Sequence, residues 1–272
     1  MLLVGILDRV DKLLKDIHKI YPLKNLGEVK DTIFLGLHIV RHDSIFTVDQ
    51  ARYSRLIVDK FHIATPSTTP MESRFKPRDD APAFDTRTNQ SAIGSLLYLA
   101  LGTRPDITFA VNRLAQFASQ PNADHWQAVT KLIGYVLDTL DYGITLGKPS
   151  AGITLGNPSA SLPDSSHLSG YFDASYGDNT DAHSTCGYIF FYHGQPVSLR
   201  SKKQHIVGLS STEAEYVAAT EAAKEAGWFA SFFNGIGYPI TLPTVLFGDN
   251  HGANFLKIVQ KFQVSSLRSV KD

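Results

Sequence analysis

The chain has 272 residues, of which 43% are hydrophobic and 19% charged, which is typical of a folded globular protein and excludes a disordered or fibrous one. Its 26 basic and 26 acidic residues balance, so any nucleic-acid-binding surface must be a local basic patch. The single cysteine, Cys186, excludes an internal disulfide, and no apolar run reaches the roughly 20 residues of a membrane span. We therefore expect an intracellular protein, cytoplasmic or nuclear, that is neither secreted nor membrane-bound.

The first 147 residues predict helices around a β-hairpin. Apolar residues spaced three and four apart predict an amphipathic helix over 8–20. The runs Thr32–Val40 and Ile45–Val48 flank a turn and predict two paired strands. The remaining predicted elements are helices over 49–62, 88–102, 105–119 and 123–140, a proline-rich loop over 64–86, and a strand over Tyr142–Leu146.

A nine-residue tandem copy separates this part from the rest of the chain. Residues 143–151 and 152–160 differ only at Lys148 and Asn157. Two copies are too few for a repeat architecture. The segment is rich in glycine, proline and serine, so we interpret 148–166 as a linker between domains at 1–147 and 167–272.

The residues after the linker predict a mixed sheet with helices. Apolar and aromatic patterning predicts strands over 169–176, 186–193, 196–200 and 204–209. A long helix over 211–234, a buried-type strand over Thr244–Phe247 and a short helix from 250 follow. The sequence therefore predicts the α/β class for the chain.

Three carboxylates stand at the ends of these elements or inside them. Asp173 lies within an aromatic strand, where an unpaired charge is costly, and Asp249 follows an apolar strand. Glu213 and Glu215 both lie in the first turn of the long helix, about 200° apart around its axis. Glu213 has capping-box spacing from Ser210, so we predict that Glu213 caps the helix and Glu215 faces the sheet.

The alternative that Glu215 caps the helix remains open, because Thr212 precedes it by the same three residues. An Asp–Asn pair after a strand, as at Asp249, is likewise commonly a turn or a helix cap. Three carboxylates that converge are better explained by a cation. Oxygen ligands without a histidine or cysteine cluster favour Mg²⁺ or Mn²⁺, and a pair of such ions is suited to phosphodiester hydrolysis.

The motifs around these carboxylates closely resemble the ribonuclease H domain of copia-type LTR-retrotransposon Pol polyproteins. They are Gly170–Ala174, His183–Tyr188, Ser201–Gln204, Leu209–Tyr216 and Asp249–Asn250. Upstream motifs resemble the C-terminal part of the same family's reverse transcriptase. They are Phe34–Ile39, Tyr53–Ile57, Ser91–Leu99 and Thr103–Ile107.

The resemblance implies an α+β thumb- or connection-like remnant of the reverse transcriptase, followed by a ribonuclease H-like mixed sheet with helices. It implies cleavage of the RNA strand of RNA–DNA hybrids with two Mg²⁺ or Mn²⁺ ions, and it implies the remainder of a polyprotein as a partner. The implied catalytic and metal-binding residues are Asp173, Glu215 and Asp249. The implied nucleic-acid-binding residues are Arg200, Lys202, Lys203, Gln204 and Ser211. For the three basic residues, an ordinary solvated strand edge is the alternative.

Two departures from the family pattern bear on activity. The polymerase's Tyr-x-Asp-Asp motif should precede a segment like Leu2–Gly5 and is not found, and Asp79–Asp80 lies in a proline-flanked loop that does not replace it. The Lys-His-Ile-Asp motif with the fourth nuclease carboxylate is also not found, although Asp272 lies near its expected distance. We therefore expect no polymerase activity from this chain alone. A catalytically inactive remnant that at most binds nucleic acid is the alternative to the nuclease.

Overall fold

The computed structural model of the protein describes residues 7–22, 24, 27–43, 45–73, 75–147, 168–179, 181–240 and 242–249. The predicted linker over 148–166, the helix from 250 and Asp272 lie outside these residues. Helices alternate with one antiparallel and one mixed sheet, so the predicted α/β class is confirmed. Among the described residues, none of the helices combines the length and hydropathy that crossing a bilayer would need.

The N-terminal part begins with α1 (Leu7–His18) and a four-stranded antiparallel sheet. The strands, in spatial as well as chain order, are β1 (Asp31–Phe34), β2 (Leu37–His42), β3 (Ile45–Asp49) and β4 (Gly143–Gly147). The single strand predicted over Thr32–Val40 is wrong. Leu35 and Gly36 have φ of 50° and 80°, the paired positive values of a two-residue hairpin turn, so the chain reverses between β1 and β2.

Four helices form the apolar core of the N-terminal part. They are α2 (Ala51–Lys60), α3 (Thr86–Gly102), α4 (Thr108–Ala115) and α5 (Ala123–Asp138). The helix predicted over 105–119 instead begins with a 3₁₀ turn, Pro105–Ile107, and ends at Ala115. Fully buried side chains fill the space between these helices; among them are Ile57, Leu96, Leu99, Ile107, Val111, Leu132 and Ile133.

Up to residue 249, the described residues of the C-terminal part form a four-stranded sheet covered by one long helix. Its elements are β5 (Ser169–Ser175), β6 (Thr185–Tyr192), β7 (Gln195–Lys203), α6 (Ser211–Gly235) and β8 (Val245–Phe247). The spatial order is β7-β6-β5-β8, with β8 parallel to β5 and the other pairs antiparallel. The predicted mixed sheet is therefore present.

The strand predicted over 204–209 is not formed. The β7 strand continues to Lys203, and the next residues turn away from the sheet toward α6. Gln204 ends the strand because its side chain turns inward and donates from Nε2 to Ala214 O over 2.8 Å. Ile206 and Val207, which resemble strand residues in the sequence, are about half exposed.

Small residues let α6 lie close to the sheet, as its sequence predicts. Ala218, Ala219 and Ala222 are buried against the aromatic side chains of the sheet, which include Phe172 and Phe190. The two parts of the molecule also meet, because α4 of the N-terminal part lies against β7. The C-terminal sheet is thus contacted by elements from both parts of the chain.

Candidate active site

Two neighbouring parallel strands place Asp173 and Asp249 at the same level of the sheet. Tyr171 of β5 is paired with Phe247, the last residue of β8, and each aspartate follows its paired residue by two positions. Both aspartates are exposed. Gly248, the residue before Asp249, allows the chain to lie close to the Phe172 ring of β5, because a Cβ at position 248 would overlap that ring.

The first turn of α6 separates the two glutamates as the helical phase predicts. Ser210 is the N-cap and its Oγ accepts the Glu213 N–H over 3.2 Å. The Glu213 carboxylate turns back and its Oε2 accepts the Leu209 N–H over 2.7 Å. Glu215 points to the sheet and accepts the Ala174 N–H at Oε1 over 3.2 Å. The interpretation that Glu213 caps and Glu215 faces the sheet is confirmed, and the alternative cap at Thr212 is not formed.

The three predicted carboxylates converge. One oxygen from each of Asp173, Glu215 and Asp249 lies within 4.8 Å of the others. Glu215 is 5% exposed, and its Oε2 is buried with no donor among the described residues. The pKa of Glu215 is raised to about 7, chiefly by burial, and the Ala174 N–H offsets part of this rise. The charges of Asp173 and Asp249 contribute to the same rise, and so does the hydrogen bond to Asp173 that forms when the pair holds a proton.

A divalent cation fits this set of residues. The donors are all carboxylate oxygens, which Mg²⁺ and Mn²⁺ prefer. A cation between them would offset the repulsion among three carboxylates and supply the partner that the buried Oε2 lacks. The arrangement is therefore suited to a metal ion, and the individual ligand roles of the three residues stay predictions.

The basic residues predicted to bind nucleic acid do not share one surface. Arg200 pairs with Glu221 of α6 over 3.8 Å, so its side chain lies on the α6 face of the sheet. Lys203 is an odd number of residues away, on the opposite face of the strand, and pairs with Asp181. Lys202 is two residues from Arg200 in β7, so its side chain lies on the same face of the strand as Arg200. Arg200 and Lys202 thus share one face of β7, and Lys203 lies on the other.

The two polar residues of the predicted set differ in exposure. Ser211 is exposed in the first turn of α6, where backbone N–H groups can bind a phosphate. Gln204 is 4% exposed and donates to Ala214 O, as described above. Burial of its amide argues against the predicted contact of this side chain with nucleic acid.

The sequence interpretation did not single out Arg113, whose side chain contacts the turn between β5 and β6. Arg113 is 6% exposed in α4, where its neighbours Val111 and Leu114 are fully buried. Its Nη2 donates to Asp178 O over 2.9 Å, and its Nη1 donates to Asn179 Oδ1. An arginine on the apolar face of a helix is the one local signal that points to it.

No protein-family model matches the chain. It is 36% identical over 228 residues to the retrovirus-related Pol polyprotein from transposon RE2 of Arabidopsis thaliana, covering 82% of this chain and 15% of that protein. It is 30% identical over 227 residues to the transposon Ty5-1 protein YCL074W of Saccharomyces cerevisiae, covering 79% of this chain and 67% of that protein. The chain thus spans a small part of the RE2 polyprotein and about two thirds of the Ty5-1 protein.

One solved structure is similar to the chain. It is a foamy viral protease-reverse transcriptase in complex with an RNA/DNA hybrid, at a TM-score of 0.45 and 13% sequence identity. The match covers 90% of this chain and 28% of that chain.

Proposed function

Because the chain belongs to the Pol polyprotein family of copia-type LTR retrotransposons, we propose that it is a ribonuclease H-type nuclease. The proposed reaction is metal-dependent, endonucleolytic cleavage of the RNA strand in an RNA–DNA hybrid. Residues 1–147 correspond in this proposal to the C-terminal part of a reverse transcriptase, 148–166 to a linker and 167–272 to a ribonuclease H-like domain.

The observation that carries the proposal is the convergence of Asp173, Glu215 and Asp249, with one oxygen of Glu215 buried and without a donor from the described part of the chain. Burying a carboxylate beside two others destabilises a fold unless a ligand compensates for it. Structural ion pairs do not explain the cluster, because the three groups carry the same charge. A cation-dependent reaction does explain it.

The three carboxylates divide two tasks in the proposed reaction. Asp173 and Asp249 are exposed, so they can hold a divalent ion on the side from which a phosphodiester approaches. Glu215 lies beneath them, fixed by the Ala174 N–H, and completes the set of oxygens. The chemistry that Mg²⁺ or Mn²⁺ supplies in such a set is activation of water and stabilisation of the leaving oxygen.

Contacts with the hybrid are proposed for the polar groups near the helix start. In this proposal, Ser211 and the first N–H groups of α6 bind a backbone phosphate. Lys202, Lys203 and Arg200 add positive charge around β7. The 2′-hydroxyl is the group that distinguishes the RNA strand from DNA.

The test is cleavage of a hybrid whose RNA strand is labelled. We expect internal cuts that require Mg²⁺ or Mn²⁺, that are absent from a DNA duplex of the same sequence, and that disappear in Asp173→Asn. Glu72→Gln is a matched control, because this exposed carboxylate lies in the 64–86 loop. Folded wild-type protein that leaves the RNA strand intact with either ion would contradict the proposal.

A second candidate function is binding of nucleic acid without cleavage. The observation that favours it is that three carboxylates converge within the described ranges, whereas the family resemblance implies four. In that case the protein binds the hybrid with an affinity that falls steeply as salt rises, and the RNA strand stays intact. A gel-shift titration run beside the cleavage assay separates the two functions.

A further inference from the structure

A chain of buried and partly buried hydrogen bonds connects α4 of the N-terminal part to the carboxylate cluster. Its first link is Arg113, whose guanidinium holds Asp178 O and Asn179 Oδ1 in the turn between β5 and β6. Arg113 and Asn179 are each 6% exposed. Their contact is therefore shielded from water and fixes the turn to α4.

The second link lies within the β5–β6 turn. The Asn179 side chain donates from Nδ2 to His183 O over 2.8 Å and to Thr185 Oγ1 over 3.1 Å, which closes the turn. Across the same turn, the Gly177 N–H donates to Ser184 Oγ over 3.1 Å. The turn begins close to Asp173, because β5 ends at Ser175 and only two residues separate Asp173 from the turn.

The third link joins the turn to α6. Ser184 is fully buried, and its carbonyl accepts the Gln204 N–H over 2.8 Å. The Gln204 side chain then donates to Ala214 O over 2.8 Å. Ala214 immediately precedes Glu215, whose carboxylate returns to the Ala174 N–H of β5. The hydrogen bonds thus form a closed ring through β5, the turn, β7 and α6.

We propose that Arg113 is a positioning residue for the carboxylate site, and that it acts through the β5–β6 turn and Gln204 on Glu215. The inference rests on the proposed function, since it concerns the geometry of the same metal-binding group. Removing the guanidinium leaves Asp178 O and Asn179 Oδ1 without their donor in a buried place. The turn then relaxes, and Glu215 loses the fixed distance to Asp173 that a cation requires.

The proposal makes the helical N-terminal part a component of the nuclease site. Residues that orient metal ligands without touching the metal change metal affinity by about 10- to 100-fold when they are removed. Arg113 reaches the ligands through several hydrogen bonds, so we expect a change at the lower end of this range, about tenfold.

The test compares Arg113→Gln with Arg55→Gln in the full chain. Arg55 is an exposed arginine of α2, so its replacement controls for the loss of one positive charge. The first measurement is Mn²⁺ affinity by electron paramagnetic resonance. We expect about tenfold weaker binding in Arg113→Gln and wild-type binding in Arg55→Gln.

The second measurement is amide hydrogen exchange at Ala174 and Gly177 by NMR, which requires neither metal nor catalysis. We expect faster exchange at both amides in Arg113→Gln and no change in Arg55→Gln. Wild-type protein that fails to cleave hybrids would contradict the nuclease proposal, whereas the exchange comparison would still decide the role of Arg113. Unchanged exchange together with unchanged Mn²⁺ affinity would overturn the positioning role.

Three further variants protect the test against a folding defect. Arg113→Lys keeps the charge on a single donor nitrogen, so we expect effects between those of wild type and Arg113→Gln. Gln204→Leu interrupts the same chain nearer to Glu215. If Arg113 acts through Gln204, the double variant Arg113→Gln/Gln204→Leu weakens Mn²⁺ binding no more than the stronger single variant. Additive losses would show that Arg113 acts independently and would reject the proposed route.

Discussion

Arg104 in the N-terminal part and Glu215 in the C-terminal part are both buried charges, but their surroundings are opposite. Arg104 is 1% exposed, and each of its three guanidinium nitrogens has a partner. Asp106 accepts from Nε and Nη2, and the Thr139 carbonyl accepts from Nη1 over 3.0 Å. The guanidinium also lies over the Tyr135 ring at 5.5 Å. This charge is fully compensated by the chain itself.

Glu215 is almost as deeply buried, yet one of its oxygens has no donor among the described residues, and oxygens of two further carboxylates lie within 4.8 Å. A buried side-chain charge whose partners all belong to the chain has a structural role and requires no external ligand. A buried ion whose partners are missing indicates a place where an external ligand completes the set. Whether a buried charge has partners within the chain therefore distinguishes the scaffold from the site better than the depth of burial does.

The largest expected effect comes from breaking the compensated charge. In Arg104→Met the Asp106 carboxylate and the Thr139 groups lose their donors, so we expect the free energy of unfolding to fall by about 3–5 kcal/mol. Urea denaturation followed by circular dichroism measures the loss. Arg200→Met is the matched control, because its 3.8 Å pair with Glu221 is partly solvated and its removal costs about 1 kcal/mol or less. Equal losses in the two variants would mean that Arg104 is not a structural centre.

Removing the uncompensated charge of Glu215 should raise the free energy of unfolding, whereas removing Arg104 lowers it. The pKa of Glu215 is raised to about 7, so the folded protein binds a proton more tightly than the unfolded chain, and wild-type stability falls as pH rises from about 4.5 to about 7. Glu215→Gln has no such loss. We expect it to be more stable than wild type by on the order of 2 kcal/mol at pH 8 without metal, with the difference vanishing below pH 4.5.

Thermal melts of both proteins across this pH range measure the effect. A variant less stable than wild type at pH 8 would show that the carboxylate contributes to the fold.

A divalent cation should reduce the contrast between the two charges by supplying the partner of Glu215. At a Mg²⁺ or Mn²⁺ concentration ten times Kd, we expect about 1.4 kcal/mol of added stability in wild type and none in Asp173→Asn. The added stability should be smaller at pH 5.5 than at pH 8, because the ion competes with the proton on Glu215. Asp59→Asn, at an exposed carboxylate of α2, should respond like wild type. Equal stabilisation of Asp173→Asn would place the ion elsewhere.

The place of each carboxylate in its own element could be predicted because it depends on local rules. Helical phase distinguishes Glu215 from Glu213, and the apolar run before Asp249 marks the end of a strand. The parallel register that brings Asp173 and Asp249 to one level joins Tyr171 to Phe247, 76 positions apart in the sequence. No local pattern contains this pairing, and the family resemblance is what implied that the three residues act together.

Other features depend on partners distant in the sequence and could not be predicted. Arg113 and Asn179 are 66 positions apart, and no local pattern joins them. Ile206, Val207 and Leu209 resemble a strand, but the contact between Gln204 and Ala214 directs this segment away from the sheet. The β1–β2 turn was missed because Leu35, a residue uncommon at positive φ, occupies one of its two central positions.

The smallest expected effect concerns Glu213, which lies in the same helical turn as Glu215 but has a different role. Glu213→Gln makes the same chemical change as Glu215→Gln two residues away, but at a less buried carboxylate that accepts the Leu209 N–H at the start of α6. The glutamine side chain can still accept this bond, although the negative charge that favours a helix N-terminus is lost. We expect a loss of about 0.5 kcal/mol at pH 8, with unchanged Mn²⁺ affinity.

The two variants measured together at pH 8 should therefore change the free energy of unfolding in opposite directions, and only the change at position 215 should abolish metal binding. The same sign for both would mean that the two glutamates share one role. In that case the division between cap and site, on which the assignment of Glu215 depends, would be wrong.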